Sequence, residues 1–295
     1  MKKIFILFTL LLSGSYIAQI QITQIHLNSG SYRNFGDGPS EISAFNSLAP
    51  GSNILAQDYS QFSNSEGMFM GMNPYGSFGF ASTTSFNALQ VGLKLPSCSH
   101  GTLRLGIANY RNTLKSIQYG YSESHVVDTF ISTQTGSMLF IDSTISKNLY
   151  GNYSNQQIRI DAAYIYEMNA GNRWAFSAGF GASLGISYQS KTRLIYSEYT
   201  NSYDGYSNNP GYISSTSTVE TYNNGLAWGM NAYVPLGINF KLGVKRAFWI
   251  PWVIYTELRP QLSLNTVPKS GIQFSPGIGS ASGIRYNMAA HTNRP

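Results

Sequence analysis

The sequence predicts an all-β protein: a transmembrane antiparallel β-barrel of about eight strands, with ten as the alternative, carrying long extracellular loops. Three observations lead there. Among 295 residues only 11% are charged, 19 basic and 13 acidic, against roughly 25% in an ordinary soluble domain. The chain holds 21 Tyr, 16 Phe and 4 Trp, too much aromatic surface for a disordered polymer, yet it contains no run of about 20 apolar residues that would make a helical span. Its long apolar stretches instead alternate with period 2, which is the periodicity of strands.

In chain order, Lys2 and Lys3 precede the apolar run Ile4 to Leu12, and small residues follow at Ser13, Gly14, Ser15 and Ala18. This is the order of a secretory signal peptide over residues 1–18, with the cut after Ala18. The apolar run is too short to cross a bilayer. No Cys follows it, so a lipid-anchored lipoprotein is excluded. Removing Lys2 and Lys3 lowers the formal charge from +6 to +4, too thin and scattered a surplus for nucleic acid. The single cysteine, Cys98, has no partner for an intramolecular disulfide and lies in the turn-like stretch Pro96 to Gly101.

Residues 19–65 alternate poorly. Ile42, Phe45 and Leu48 after Pro39-Ser40-Glu41 suggest one short helix capped by Ser40 or Asp37, in a polar segment that plugs the lumen, lies in the periplasm or touches a partner. The barrel is expected over residues 66–290, with its first strand at Glu66 to Met72 or Gly76 to Ser85.

The clearest strand runs from Trp174 to Tyr188. Trp174, Phe176, Phe180, Leu184, Ile186 and Tyr188 fall on one side, and Ser177, Gly179, Gly181, Ser183, Gly185 and Ser187 on the other. Leu226 to Leu242 repeats the pattern. At about 3.3 Å per residue such strands approach 50 Å, far beyond the usual 5–6 residues of soluble sheets. A soluble sandwich turns apolar side chains inward and charge outward; here the face opposite the bulky one is Gly, Ser, Ala and Asn. That suits lipid on one side and a narrow lumen on the other. Weaker versions occur at Leu89 to Leu95, Leu103 to Ala108, Ile158 to Glu167, Trp252 to Arg259 and Ile284 to Met288. Pro235, Pro260 and Pro276 fall inside these strands, so bulges or bends are expected there.

Connections alternate between short turns, at Pro96 to Gly101, Asn169 to Arg173 and about Gly243 to Ile250, and long polar loops over about residues 111–157 and 189–224. Trp174, Trp249 and Trp252 all flank the short turns, where an interfacial aromatic belt belongs. Both termini then lie on the periplasmic side.

Charges on the inner face are Lys94, Arg104, Arg159, Asp161, Glu167, Lys241, Glu257, Arg259 and Arg285. The basic excess would favour anions in an open pore, but an eight-stranded barrel is only wide enough for side chains to fill it, so a packed ion network is expected. His26, His100, His125 and His291 are scattered, without metal-ligand spacing. No metal, cofactor or catalytic residue is expected; the one acid–base grouping is His125 with Glu123 and Asp128. Asp142-Ser143-Thr144 matches a short O-glycosylation motif. The Tyr-rich second loop, Tyr196 to Tyr222, offers contact area at small entropic cost.

Low charge, long strands rich in Tyr, Asn and Ser, and Gln19 after Ala18 resemble the outer-membrane barrels of Bacteroidota over most of Gly67 to Met288. Ala56-Gln57-Asp58-Tyr59-Ser60-Gln61-Phe62, with Met72-Asn73-Pro74 downstream, is similar to the opening motif of PorP/SprF type IX secretion barrels. There the motif follows the signal peptide directly and has Pro after Asp; here it begins at Ala56 and has Tyr59. The resemblance implies a part in assembling a secretion or adhesion machine and transfers no catalytic residue. The functional expectation is a structural or accessory subunit in the outer membrane, in contact with its lipid and with partners through residues 111–157, 189–224 or the N-terminal segment. A narrow channel for small or anionic solutes is the alternative, and a barrel enzyme the remote one.

Overall fold

A computed structural model describes residues 21–35, 40–64, 80–94, 101–131, 133, 136, 138–169, 171–204, 210–243, 246 and 248–288. The expected signal peptide, Cys98, the stretch 66–79 and His291 lie outside them. The strands are β1 (Gln21–Phe35), β2 (Ser63–Asn64), β3 (Phe80–Lys94), β4 (Gly101–Ile131), β5 (Met138–Met168), β6 (Trp174–Asp204), β7 (Pro210–Asn223), β8 (Trp228–Tyr233), β9 (Leu236–Lys241), β10 (Trp252–Val267) and β11 (Gly271–Asn287), with one short helix, α1 (Ser43–Asn46).

Every pairing is antiparallel, and the sheet closes on itself. β1 pairs with β3, β3 with β4, β4 with β5 and β5 with β6; β7, β8 and β9 together pair along β6; β8 and β9 pair with β10, β10 with β11, and β11 with β1. Counted around the ring this makes eight walls, the sixth built from three successive segments. Closure leaves no edge in the ring, so the backbone satisfies its own hydrogen bonds, as a hydrocarbon environment requires.

The side chains invert a soluble protein. Ile107, Ile160, Phe180, Leu184, Ile186 and Phe274 stand exposed on the outer face, while Arg104, Arg159, Asp161, Glu257 and Arg259 are buried within. Burial pairs Arg and Glu where the alternation turns them inward, and the outer face is left to lipid. From Trp174 to Tyr188 on β6 is roughly 46 Å along the strand and about 33 Å along the normal at a 45° tilt, enough for the hydrocarbon layer and its interfaces. Leu184→Arg, near the middle of that band, is therefore expected to cost about 2–4 kcal/mol when the protein folds into bilayers; urea unfolding from vesicles measures it.

At the short-turn end Trp174 packs on Phe240 with ring centroids 4.6 Å apart, Trp252 on Tyr286 at 5.0 Å and Trp249 on Phe248 at 4.9 Å. The three tryptophans expected as a belt thus sit at one rim, each against a second aromatic ring.

The structure departs from the sequence reading in four places. First, Gln21–Phe35 is a barrel strand, whose register runs from Gln24–Asn287 to Asn34–Gly277 with β11. Its inner face is polar apart from Tyr32 (His26, Asn28, Asn34) and its outer face apolar only at Ile22, Ile25 and Leu27, so Ser29, Ser31 and Arg33 hide the alternation. Residues 40–64 consequently leave from the end opposite the short turns. Second, α1 is entered from Ile42 without a side-chain cap; the Ser43 hydroxyl instead donates to the Glu41 carboxylate, 3.2 Å away. Third, the two long loops are largely strand. β4 and β5 pair from Gly101–Tyr166 to Ile131–Met138, interrupted by bulges at Thr113/Lys115 and Val126/Asp128, and β6 pairs with β7 from Lys191–Asn223 to Tyr203–Pro210. The alternative of ten strands arises from this outer hairpin, which prolongs two existing walls instead of adding new ones.

Fourth, only one of the three prolines breaks a strand. Pro235 separates β8 from β9. Pro260 and Pro276 stay within β10 and β11. The Pro260 carbonyl accepts from the Val234 N–H at 3.0 Å, so the edge of Pro260 that lacks an N–H faces the gap at Val234–Pro235. Pro276 lies one residue past the last β1–β11 pair, Asn34–Gly277. Both missing donors fall where the ladder is already interrupted.

Candidate functional site

The lumen is the most elaborately built part of the molecule. Arg104 on β4 reaches across to Glu257 on β10 at 2.5 Å, and Arg259 lies on the other oxygen of the same carboxylate at 2.6 Å. Arg285 on β11 makes a two-toothed pair with Glu167 on β5, both contacts 3.0 Å. β4 and β10, like β5 and β11, are four walls apart in a ring of eight. These pairs therefore span the full width of the barrel.

Asp161 accepts from Gln90 at 2.6 Å and from the Tyr233 hydroxyl at 2.8 Å. Arg159 is held by neutral oxygens, those of Gln157, Asn231 and Asn265 at 2.8–3.1 Å, and lies 4.3 Å over the Tyr110 ring. A Cβ on Gly229 would come within 2.5 Å of the Arg159 guanidinium, so glycine there makes room for it. Tyr32, Phe86 and Tyr110 stack across β1, β3 and β4 at 5.0 and 5.3 Å, and Arg259 caps the Phe86 ring at 5.1 Å. Sequence reasoning missed this aromatic ladder, because a large ring facing inward contradicts the small-residue pattern of the clearest strand.

Of the nine inner-face charges expected, the structure brings Arg104, Arg159, Asp161, Glu167, Glu257, Arg259 and Arg285 together in this network. Lys241 is half-buried near the short-turn end. Lys94 is exposed at the end of β3 and takes no place in the lumen, because the strand finishes at the rim.

Above the polar lumen sits an apolar cap. Phe45, Leu48, Ala49 and Ile54 from residues 40–64 bury against Leu114, Ile117, Leu149, Tyr153, Leu194 and Val267 from the walls. Burying a Phe, Leu or Ile side chain stabilises by about 1.5–3 kcal/mol. Polar clamps fix the edges: Ser40 N–H to Ser116 carbonyl at 3.1 Å, Asn224 amide to Leu48 carbonyl at 2.7 Å, and β2 on Tyr119 and Gly120 of β4. The segment that carries the secretion-barrel likeness, Ala56 to Phe62, belongs to this cap; its Tyr59 hydroxyl donates to the Ile54 carbonyl at 2.6 Å and Phe62 lies against Tyr59.

Glu220 on β7 is the cap's acidic anchor, accepting from the Ser52 hydroxyl at 2.5 Å and the Ile54 N–H at 3.3 Å. Desolvation pushes its carboxyl up, but the hydrogen bonds from Ser52, Tyr222 and the backbone N–H groups of Ile54 and Asn53 outweigh it, and the net shift is downward. A carboxyl lowered in the docked state contributes to docking above its free pKa and loses that contribution as the pH falls through the docked value. Proteolysis within residues 40–62 is accordingly expected to accelerate from pH 7 to pH 3, and Glu220→Gln to accelerate it at pH 7 and flatten the dependence. A profile unchanged by the substitution would leave Glu220 without this role.

Beyond the cap, β4, β5, β6 and β7 continue as a four-stranded sheet while β1, β3, β10 and β11 end. Its inner face carries, in adjoining rows, Tyr121, Lys147, Glu198 and Thr216, then Glu123, Ile145, Thr200 and Ser214. His125 lies 3.0 Å from Glu123, both well exposed. The Tyr121 hydroxyl donates to Glu123; that bond chiefly, with His125 and Lys147, holds the carboxyl below its ordinary range against the opposing effect of desolvation. Asp128 lies beyond a bulge at Val126 and donates no part to the pair, its carboxylate accepting from the Thr129 N–H. The arrangement is a solvated cross-face cluster. Among the described residues no group of three or more His, Cys, Asp or Glu is placed to hold a metal ion. Asp142-Ser143-Thr144 forms part of β5, with Thr144 bonded to Ser124.

No protein-family model and no curated protein matches the chain. Among solved structures it is similar to Neisserial surface protein A, at 10% identity over 90% of this chain and 97% of that one, with a TM-score of 0.30. The Ralstonia pickettii toluene transporter TbuX matches at 9% identity over 90% of each chain, TM-score 0.18, and Pseudomonas putida OprB at 6% identity over 90% and 94%, TM-score 0.14. The assignment of the fold rests on the strand pairing and the inverted polarity described above.

Proposed function

We propose that this chain is an outer-membrane barrel that conducts no solute and serves as a structural or accessory subunit of an outer-membrane assembly, meeting its partners through the cap and the outer sheet. The observation that supports this most is the cross-lumen pairing of Arg104 with Glu257. A solute passing the barrel would have to part that pair and the Arg285–Glu167 pair, and breaking a buried ion pair costs several kcal/mol. The cap would then have to leave as well. Tyr, Ser and Thr dominate the outer sheet, a composition suited to protein or glycan contacts. The reading is that of a non-enzyme, since the Glu123–His125 pair lies open to solvent.

Purified protein in planar bilayers is expected to give no steady openings at either polarity; reproducible single-channel steps would overturn the packed-lumen reading in favour of a channel. Affinity capture from native outer membrane is expected to recover a defined complex, and recovery as a lone monomer would remove the subunit role.

A further inference from the structure

The lumen network has a surplus that its own residues leave unmet. Arg104 is buried, and only its Nη1 bonds to Glu257; Nε and Nη2 have no hydrogen-bond partner among the described residues. These two nitrogens form one edge of the guanidinium, the planar fork that matches two oxygens of an oxyanion. A fully buried fork without an acceptor is costly.

Other orphaned groups gather around the same place. The Arg104 guanidinium lies 5.1 Å from the Tyr255 ring centroid and His26 packs edge-on to that ring at 5.7 Å. Asn239 stands opposite Tyr255 in the register of β9 and β10; both its amide nitrogen and its oxygen are buried and unbonded. Arg285, cross-strand neighbour of His26, uses Nη1 and Nη2 on Glu167, and its Nε has no hydrogen-bond partner among the described residues. Among the described residues the formal charges agree: the buried cations Arg104, Arg159, Arg259 and Arg285 face Asp161, Glu167 and Glu257, one negative charge short. Position agrees too, since Tyr255, Asn239 and Arg285 lie within a few residues of the short-turn ends of β10, β9 and β11.

We propose that the short-turn half of the lumen binds one small oxyanion of the phosphate or sulfate class, held in two-toothed fashion by Nε and Nη2 of Arg104 and completed by the Asn239 amide and Nε of Arg285. The anion supplies the missing negative charge and the missing acceptors together. The cap covers the mouth at the other end. The anion is a resident ligand within a closed interior, and it requires no conduction.

Inorganic phosphate titrated into the folded protein in detergent micelles, at ionic strength held constant with sodium chloride, tests it through phosphorus NMR line broadening. Saturable binding of one phosphate per barrel is expected, with sulfate competing and chloride not. Arg104→Lys keeps the charge and the contact with Glu257 but lacks the fork, and is expected to weaken binding at least tenfold. Asn239→Ala leaves every ion pair in place and is expected to weaken it several-fold; it carries the test should Arg104→Lys fail to fold. Absence of saturable broadening in the unaltered protein, equal competition by chloride, or undiminished binding in the folded variants would each overturn the proposal. So would binding abolished by the exposed-sheet variant Lys147→Gln, which would mean an adventitious ion only.

Discussion

Glu257→Gln is expected to cost the folded barrel about 3–5 kcal/mol, the range for removing one partner of a buried ion pair. The reason is that one carboxylate serves two guanidinium groups: Arg104 on one oxygen at 2.5 Å, and Arg259 on the other through Nε at 2.9 Å and Nη2 at 2.6 Å. All three side chains are no more than 2% exposed. A neutral amide of the same shape leaves two unpaired cations in a low-dielectric interior and turns two donors of its own toward donors. Asp161→Asn provides the comparison. Asp161 bonds to the neutral Gln90 and Tyr233, so its loss strips no direct ion pair and a smaller cost, about 1–3 kcal/mol, is expected. Urea titrations from lipid vesicles measure both; equal costs would mean that the lumen charges act as a diffuse field and not through the bridge.

Phe45→Ala produces the second large effect, in a different place. Phe45 is the buried residue of α1 and is wholly enclosed by wall and cap. Truncating such a ring costs about 3–5 kcal/mol. The cap is joined to the walls by this small apolar cluster and a few hydrogen bonds, whereas the ring holds itself by its own ladder. The loss is therefore expected as undocking of residues 40–62, seen as cleavage there by added protease, while the urea midpoint of the barrel stays within the range of the unaltered protein. A fall in that midpoint matching the cleavage would show that cap and barrel unfold as one unit.

The comparison with the sequence shows where alternation is readable. Trp174 to Tyr188 announces a membrane strand because every outward residue is bulky or Ala and every inward one small. β1 does not, since Ser29 and Ser31 face outward and Tyr32 inward, and a polar–polar alternation has no period to detect. The outer sheet fails for a related reason: Tyr, Ser and Thr on both faces read as loop, although Tyr and Thr favour strands as Val does. Inward charges were legible because an ionisable side chain on a strand otherwise facing Gly and Ser must point away from lipid. Their partners were not, because Arg104 and Glu257 are joined by the shear of a closed sheet and not by any spacing along the chain. The cap was half visible: the helical spacing of Ile42, Phe45 and Leu48 showed an apolar face, but the surface it covers comes from four different strands.

The seam between β1 and β11 governs how this barrel comes into being. Gln24 meets Asn287 and Asn34 meets Gly277, so the first wall waits for the last. The β4–β5 and β5–β6 hairpins, by contrast, join residues whose separation starts at a few positions and can zip from their turns. Contacts of low sequence separation form early and distant ones late, and until the final strand arrives the polar edge of β1 and the half-made ion network stand open. Closure is thus the step at which the ladder and the Arg285–Glu167 pair are completed together, and a chain halted before Gly271 would lack the strand that closes it.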